Sequence, residues 1–194
     1  MRKLLYVIPV VATMMFAACE NKKDQSTEDS NEAATEANDE KFQTNEAEKD
    51  ADFIAEAVAS NIAEIELAQL GVQRSDNADI KEIGKTLENE HNKLLKNLQD
   101  LAAKKTISIP AAGEDNDRKK IENLNKEDDI KDFNKEWCKE LVDRHESTIE
   151  KFEKRLQDTA DPDIKAFINE SLPELRSHLA KVKACHERMA DASK

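Results

Sequence analysis

Three histidines and a glutamate stand where the surrounding pattern asks for apolar side chains. At about 100° per residue, His91 falls within the stripe Ile80, Leu87, Leu94 and Leu98. His145 lies four residues from both Leu141 and Ile149, and His178 lies between Leu175 and Val182. Glu64 shares a face with Phe53, Ala57, Ser60 and Gly71, mostly small residues that leave room beside it, whereas Glu66 points away and reads as a solvated side chain. Glu88 precedes His91 by three residues and Glu174 precedes His178 by four, so each carboxylate can reach the side of its histidine. Imidazoles and carboxylates converging between helices are ligands for iron, manganese, zinc or copper. The candidate metal set is therefore Glu64, Glu88, His91, His145, Glu174 and His178. The same residues have a plainer reading, a hydrogen-bonded polar layer that fixes helix register, because buried polar groups need partners. Both readings stay open on sequence alone.

These residues need helices to position them, and the apolar spacing supplies four. The expected spans are about 51–74, 78–105, 128–159 and 163–190, with a short helix around Lys119–Leu124 in a crossover of roughly 22 residues. Ser75-Asp76-Asn77 and Asp161-Pro162 are the tight turns, the latter with proline placed to start a helix. Measured from those turns, Glu64, His91, His145 and His178 all lie roughly 18–25 Å along their helices, at one level near the middle. Pro173, inside the last span, removes a helical hydrogen bond and should bend the axis. Aromatic residues are only 4% of the chain and it has 3 glycines, which argues for an all-α protein and against a sheet. Two hairpins joined by a long crossover between helices 2 and 3 make an antiparallel, ferritin-like four-helix bundle.

The N-terminus reads as a processing signal. Arg2 and Lys3 precede an apolar run from Leu4 to Phe16, and Ala17-Ala18 stand before Cys19. That run is too short for the roughly 20 residues of a membrane-spanning helix. Residues 1–18 are expected to be cleaved as a lipoprotein signal, with Cys19 acylated as a stable membrane anchor. Glu20, rather than aspartate, follows the cysteine, which favours the outer membrane. Residues 19–50 are almost devoid of apolar side chains and are expected to form a disordered acidic tether, leaving 51–190 as the folded domain. With Cys19 acylated, two cysteines remain. Cys138 lies about 23 residues before Asp161 and Cys185 about 24 after it, opposite one another in an antiparallel hairpin. A disulfide is expected there, the alternative being two buried thiols.

The formal net charge of −12 is ill suited to phosphate backbones, so nucleic acid is not an expected partner. No phosphate-binding loop, dinucleotide fingerprint or nucleophile elbow is present. The chain resembles a widespread, uncharacterised family of exported bacterial proteins, a domain-of-unknown-function group expected to be ferritin-like. The resemblance covers about residues 50–186. It rests on Glu64-Ile65-Glu66-Leu67, Glu90-His91, Phe133-Asn134-Lys135-Glu136-Trp137 and Arg144-His145, and most specifically on Leu172-Pro173-Glu174-Leu175-Arg176-Ser177-His178. It implies a fold and no activity. The expected role is that of a lipid-anchored envelope protein, non-catalytic or unassigned, that can bind a metal. The rivals are a metal-dependent envelope oxidoreductase or metal-storage protein, and an acidic protein-interaction module.

Overall fold

The structure, a computed structural model, describes residues 28–192. Within them the chain is all-helical: α1 (Glu28–Lys41), α2 (Asn45–Arg74), α3 (Ala78–Lys105), α4 (Asp115–Asn125), α5 (Ile130–Asp158) and α6 (Pro162–Ala192). The four long helices start where side chains can satisfy the first free N–H groups. Asn77 Oδ1 accepts from Asp79 and Ile80, Asp129 Oδ1 from Lys131 and Asp132, and Asp161 Oδ1 from Asp163 and Ile164. Thr44 caps α2 in the same way, through Ala47. Pro162 opens α6, and the helix continues through Pro173.

Lys105 ends α3 because Thr106 takes up left-handed backbone, at φ 56°. Thr106 N–H then bonds to Ala103 O and Ile107 N–H to Ala102 O, a Schellman closure, with Ile107 packed into the same apolar cluster as Leu101 and Ala102.

Helices α2 and α3 pair along their length, as do α5 and α6, while α2 also touches α5 and α3 touches α6. Helix α4 lies against both α2 and α5. Arg74, at the end of α2, holds the far end of α4 by donating to the carbonyls of Leu124, Asn125 and Glu127, and lies over the Phe133 ring. Cys138 and Cys185 form the expected disulfide between α5 and α6, with Cα atoms 6.1 Å apart and both residues fully buried.

The N-terminal boundary differs from the sequence expectation. Residues 28–41 and 45–50, assigned to a disordered tether, are helical. Thr44 starts α2 one and a half turns early. Buried Arg155 of α5 fixes this added stretch of α2 by pairing with Asp50 at 2.7 Å and approaching Glu46 at 3.5 Å. Helix α1 has almost no apolar face to betray it. It is held instead by Ala34 and by Asn38, whose side chain accepts from Ser108 N–H (2.8 Å) and donates to Ser108 O (2.9 Å). Lys41 donates to Thr106 O and Asn31 to Gly113 O, so α1 is stitched to the α3–α4 crossover. The expected signal and Cys19 lie outside the described residues. No described helix is long and apolar enough to cross a membrane.

The apolar interior is divided in two. One cluster gathers Ile54, Val58, Leu98, Phe152, Ile164, Ile168 and Leu175; the other gathers Leu67, Leu87, Trp137, Leu141, Val182 and Met189. Between them every long helix carries buried polar side chains: Asn61 and Glu64 on α2, His91 on α3, Arg144 and His145 on α5, and His178 on α6.

A candidate metal centre between two apolar clusters

The four residues meet, as their common height predicts. The three imidazole rings lie with every pair of centroids 5.1–5.4 Å apart, and His91, His145 and His178 can each offer a ring nitrogen so that all three lie within 4.8 Å of one another. Glu64 Oε2 lies 3.2 Å from His91 Nε2 and 3.4 Å from His145 Nε2. None of the four residues is more than 2% exposed.

The outer partner of each ring decides which nitrogen faces inward. Asn61 Nδ2 donates to His91 O (2.9 Å), which leaves Asn61 Oδ1 as the acceptor for His91 Nδ1–H at 2.8 Å. His145 Nδ1–H donates to the Leu141 carbonyl at 2.8 Å. His178 Nε2–H donates to Glu90 Oε2 at 2.5 Å. The nitrogens that those outer bonds leave over are His91 Nε2, His145 Nε2 and His178 Nδ1. All three, together with Glu64 Oε2, are buried and have no hydrogen-bond partner. Glu64 is steadied only at its other oxygen, where Thr148 Oγ1 donates at 3.4 Å.

Charge tells the same story. Burial pushes the His91 imidazolium down to about 4, against the pull of Glu64, so the ring is neutral at physiological pH. Burial likewise lowers His178, with Glu90 opposing it. For Glu64, burial works to raise the carboxyl, but positive charge on His145, His91, Arg144 and His178 outweighs it and holds the group below its ordinary value. Glu64 thus stays ionised only where positive charge faces it, and burial denies that charge to His91. Arg144 is committed elsewhere: buried, it pairs with Asp117 of α4 at 2.8 Å and with Glu140 at 3.0 Å.

A divalent ion among the three imidazoles would take up their bare nitrogens, with Glu64 Oε2 beside two of them. Metal–nitrogen and metal–oxygen bonds of about 2.0–2.1 Å in a tetrahedron require donor separations of about 3.3–3.4 Å. The two Glu64–histidine separations match those edges. Each ring is also held on its far side by a carbonyl, an amide oxygen or a carboxylate, the support that metal-bound histidines use to fix their orientation.

Two of the six candidate ligands lie elsewhere. Glu88 is half-buried on the α2 side of α3, where it accepts from Gln69 Nε2 at 2.9 Å. Three residues before His91, it is turned about 60° from it, away from the cluster. Glu174 is exposed and stands with Glu90 on the outer side of His178, the three offering atoms within 4.8 Å of one another. Glu66 is half-buried rather than solvated, and burial raises its carboxyl against the pull of Arg118 and Arg144. Sequence reasoning missed Asn61 and Glu90. Asn61 precedes Glu64 by one helical turn on the same buried face, a signal that was available; Glu90 stands in the Glu90-His91 motif, but its reach to another helix is not visible in spacing.

Residues 27–185 match the family described as Domain of unknown function (DUF4142). The chain belongs to that family. The match begins at the start of α1, so the DUF4142 domain includes the helices that the sequence reading left in the tether. No curated protein and no solved structure matches the chain.

Proposed function

We propose that this chain is a metal-binding protein of the cell envelope, in which Glu64, His91, His145 and His178 hold one divalent transition-metal ion inside a ferritin-like bundle of α2, α3, α5 and α6. One observation carries the reading: Glu64 Oε2, His91 Nε2, His145 Nε2 and His178 Nδ1, on adjoining side chains, are all buried without a hydrogen-bond partner. A polar layer built for register would pair its inward atoms, since leaving one unpaired costs about 1–3 kcal/mol each. Here the pairing is spent on the outer sides of the rings and the inner sides are left bare. Three imidazoles and one carboxylate suit zinc, copper, iron or manganese rather than magnesium or calcium. Four protein donors close a tetrahedron, the arrangement of a site that holds an ion rather than one that keeps a position open for substrate.

The ferritin-like reading draws on the pairing of the long helices in two hairpins with α4 in the long crossover between them. The envelope reading draws on the sequence ahead of Cys19. In this account lipid on Cys19 holds the domain at the outer membrane, and residues 20–27 are the link between anchor and α1.

Metal analysis of protein purified without chelators tests the site. One tightly held equivalent in the wild type, lost in His91→Ala and in His178→Ala with helicity retained, is the expected result. Wild-type protein that takes up no metal on reconstitution would overturn it and restore the polar layer. Membrane fractionation of Cys19→Ala tests the anchor separately, since an unchanged distribution and mass would rule out lipidation.

A further inference from the structure

His178 differs from the other two histidines in what lies behind it. His91 and His145 are backed by an amide and a backbone carbonyl, but His178 Nε2 faces a carboxylate, Glu90 Oε2, at 2.5 Å. Glu174, one turn earlier on α6, joins them, so that a ring nitrogen and two carboxylate oxygens lie within 4.8 Å of one another. The three form a gradient from solvent inward: Glu174 is exposed, Glu90 is half-buried, and His178 is 2% exposed. Glu174 also borders an open groove of about 340 Å³ between α3 and α6, whose wall carries Asp100, Asp163 and Glu170 together with Lys93 and Lys104. The cluster is thus more than a surface patch of acids. A buried imidazole turns one nitrogen into it, and the other nitrogen of that ring is the unpartnered Nδ1 of the inner centre.

We propose a second metal site, formed by Glu90, Glu174 and His178 Nε2, that shares His178 with the inner site, so that one imidazole bridges two divalent ions. The bridge rests on the inner site proposed above; the outer ligand set does not. Its chemistry is an exchange of one proton for one ion. In the metal-free protein the Nε2 proton is held between His178 and Glu90. When the outer ion arrives, the Nε2–H bond breaks, the proton leaves to solvent, and the nitrogen pair it had occupied binds the ion. The resulting imidazolate carries a negative charge between two cations and is stabilised by both. Two carboxylates and an imidazole suit copper or zinc, and the exposed Glu174 gives an ion its first contact on the way in.

Copper(II) is the probe, because an imidazolate couples two copper spins. The full chain, disulfide intact, is loaded with copper(II) and freed of loose ions by gel filtration. Total copper is then compared with the copper visible by electron paramagnetic resonance. The wild type should retain two ions per chain with most of the signal lost to coupling. Glu174→Gln, which leaves the Glu90–His178 bond in place, should retain one ion with its full signal. Two retained ions with undiminished signal would overturn the bridge. One fully visible ion in both proteins would overturn the outer site and leave the inner one standing. If the wild type retains none, the inner reading fails and this inference fails with it.

Discussion

Asn61 grips His91 at two points: its amide oxygen accepts from the ring Nδ1 at 2.8 Å, and its amide nitrogen donates to the same residue's carbonyl at 2.9 Å. The second bond fixes the amide's orientation, and through it the proton on the ring. Asn61→Ala should therefore free His91 to turn and lower metal affinity about 10–100-fold, the usual effect of removing an outer partner of a ligating histidine. Competition against a chelator of known affinity measures it, and equal affinity in the variant would show that Asn61 only packs.

Glu64→Gln separates the two accounts of the buried layer. If a metal ion is what the four bare atoms await, glutamine should abolish binding. The metal-free variant should be at least as stable as the wild type, because a side-chain N–H then faces the two histidine nitrogens. If instead Glu64 pairs with charged histidines, the change removes one partner of a buried ion pair and should cost about 3–5 kcal/mol. Denaturant melts of both proteins in chelator give the answer.

Gly71→Ala tests the packing of α5 on α2. A Cβ at residue 71 would run into the indole of Trp137, a ring that is fully buried and donates its Nε1–H to Leu67 O at 2.7 Å. Overpacking of this kind costs about 1–3 kcal/mol. A lower melting temperature is expected, and an unchanged one would mean that the indole shifts freely.

Thr106→Gly should act in the opposite direction. A β-branched residue in left-handed backbone carries a penalty of about 1–2 kcal/mol that glycine lacks. Because glycine also loses more entropy on folding, the net gain should be roughly 1 kcal/mol, read as a higher melting temperature without change in metal content.

The parts of this molecule that the sequence exposes are those where burial is apolar or conspicuously not. Helix α3 runs over the expected 78–105, and α5 and α6 lie within two residues of expectation, because long apolar stripes and the Asn77 and Asp161 caps mark them. The histidines stand out for the same reason: each interrupts a stripe. Helix α1 was not legible, because a buried asparagine clasping the Ser108 backbone leaves no apolar period to read. Spacing along one helix points to Glu88, three residues before His91, because it says nothing about the neighbouring helix. Glu90 reaches His178 across from α3 to α6, a contact set by how the hairpins dock.

The donor atoms are divided evenly between two bodies. Glu64 and His91 belong to the α2–α3 hairpin, while His145 and His178 belong to the α5–α6 hairpin, which the Cys138–Cys185 bond closes covalently one heptad away. An ion held by all four, as proposed, would have apolar clusters above and below it and would be released when the two hairpins part. Its residence time would then follow the protein's own opening rather than ligand strength. Raising the concentration of a chelator would speed release only to a ceiling, the rate at which the hairpins separate.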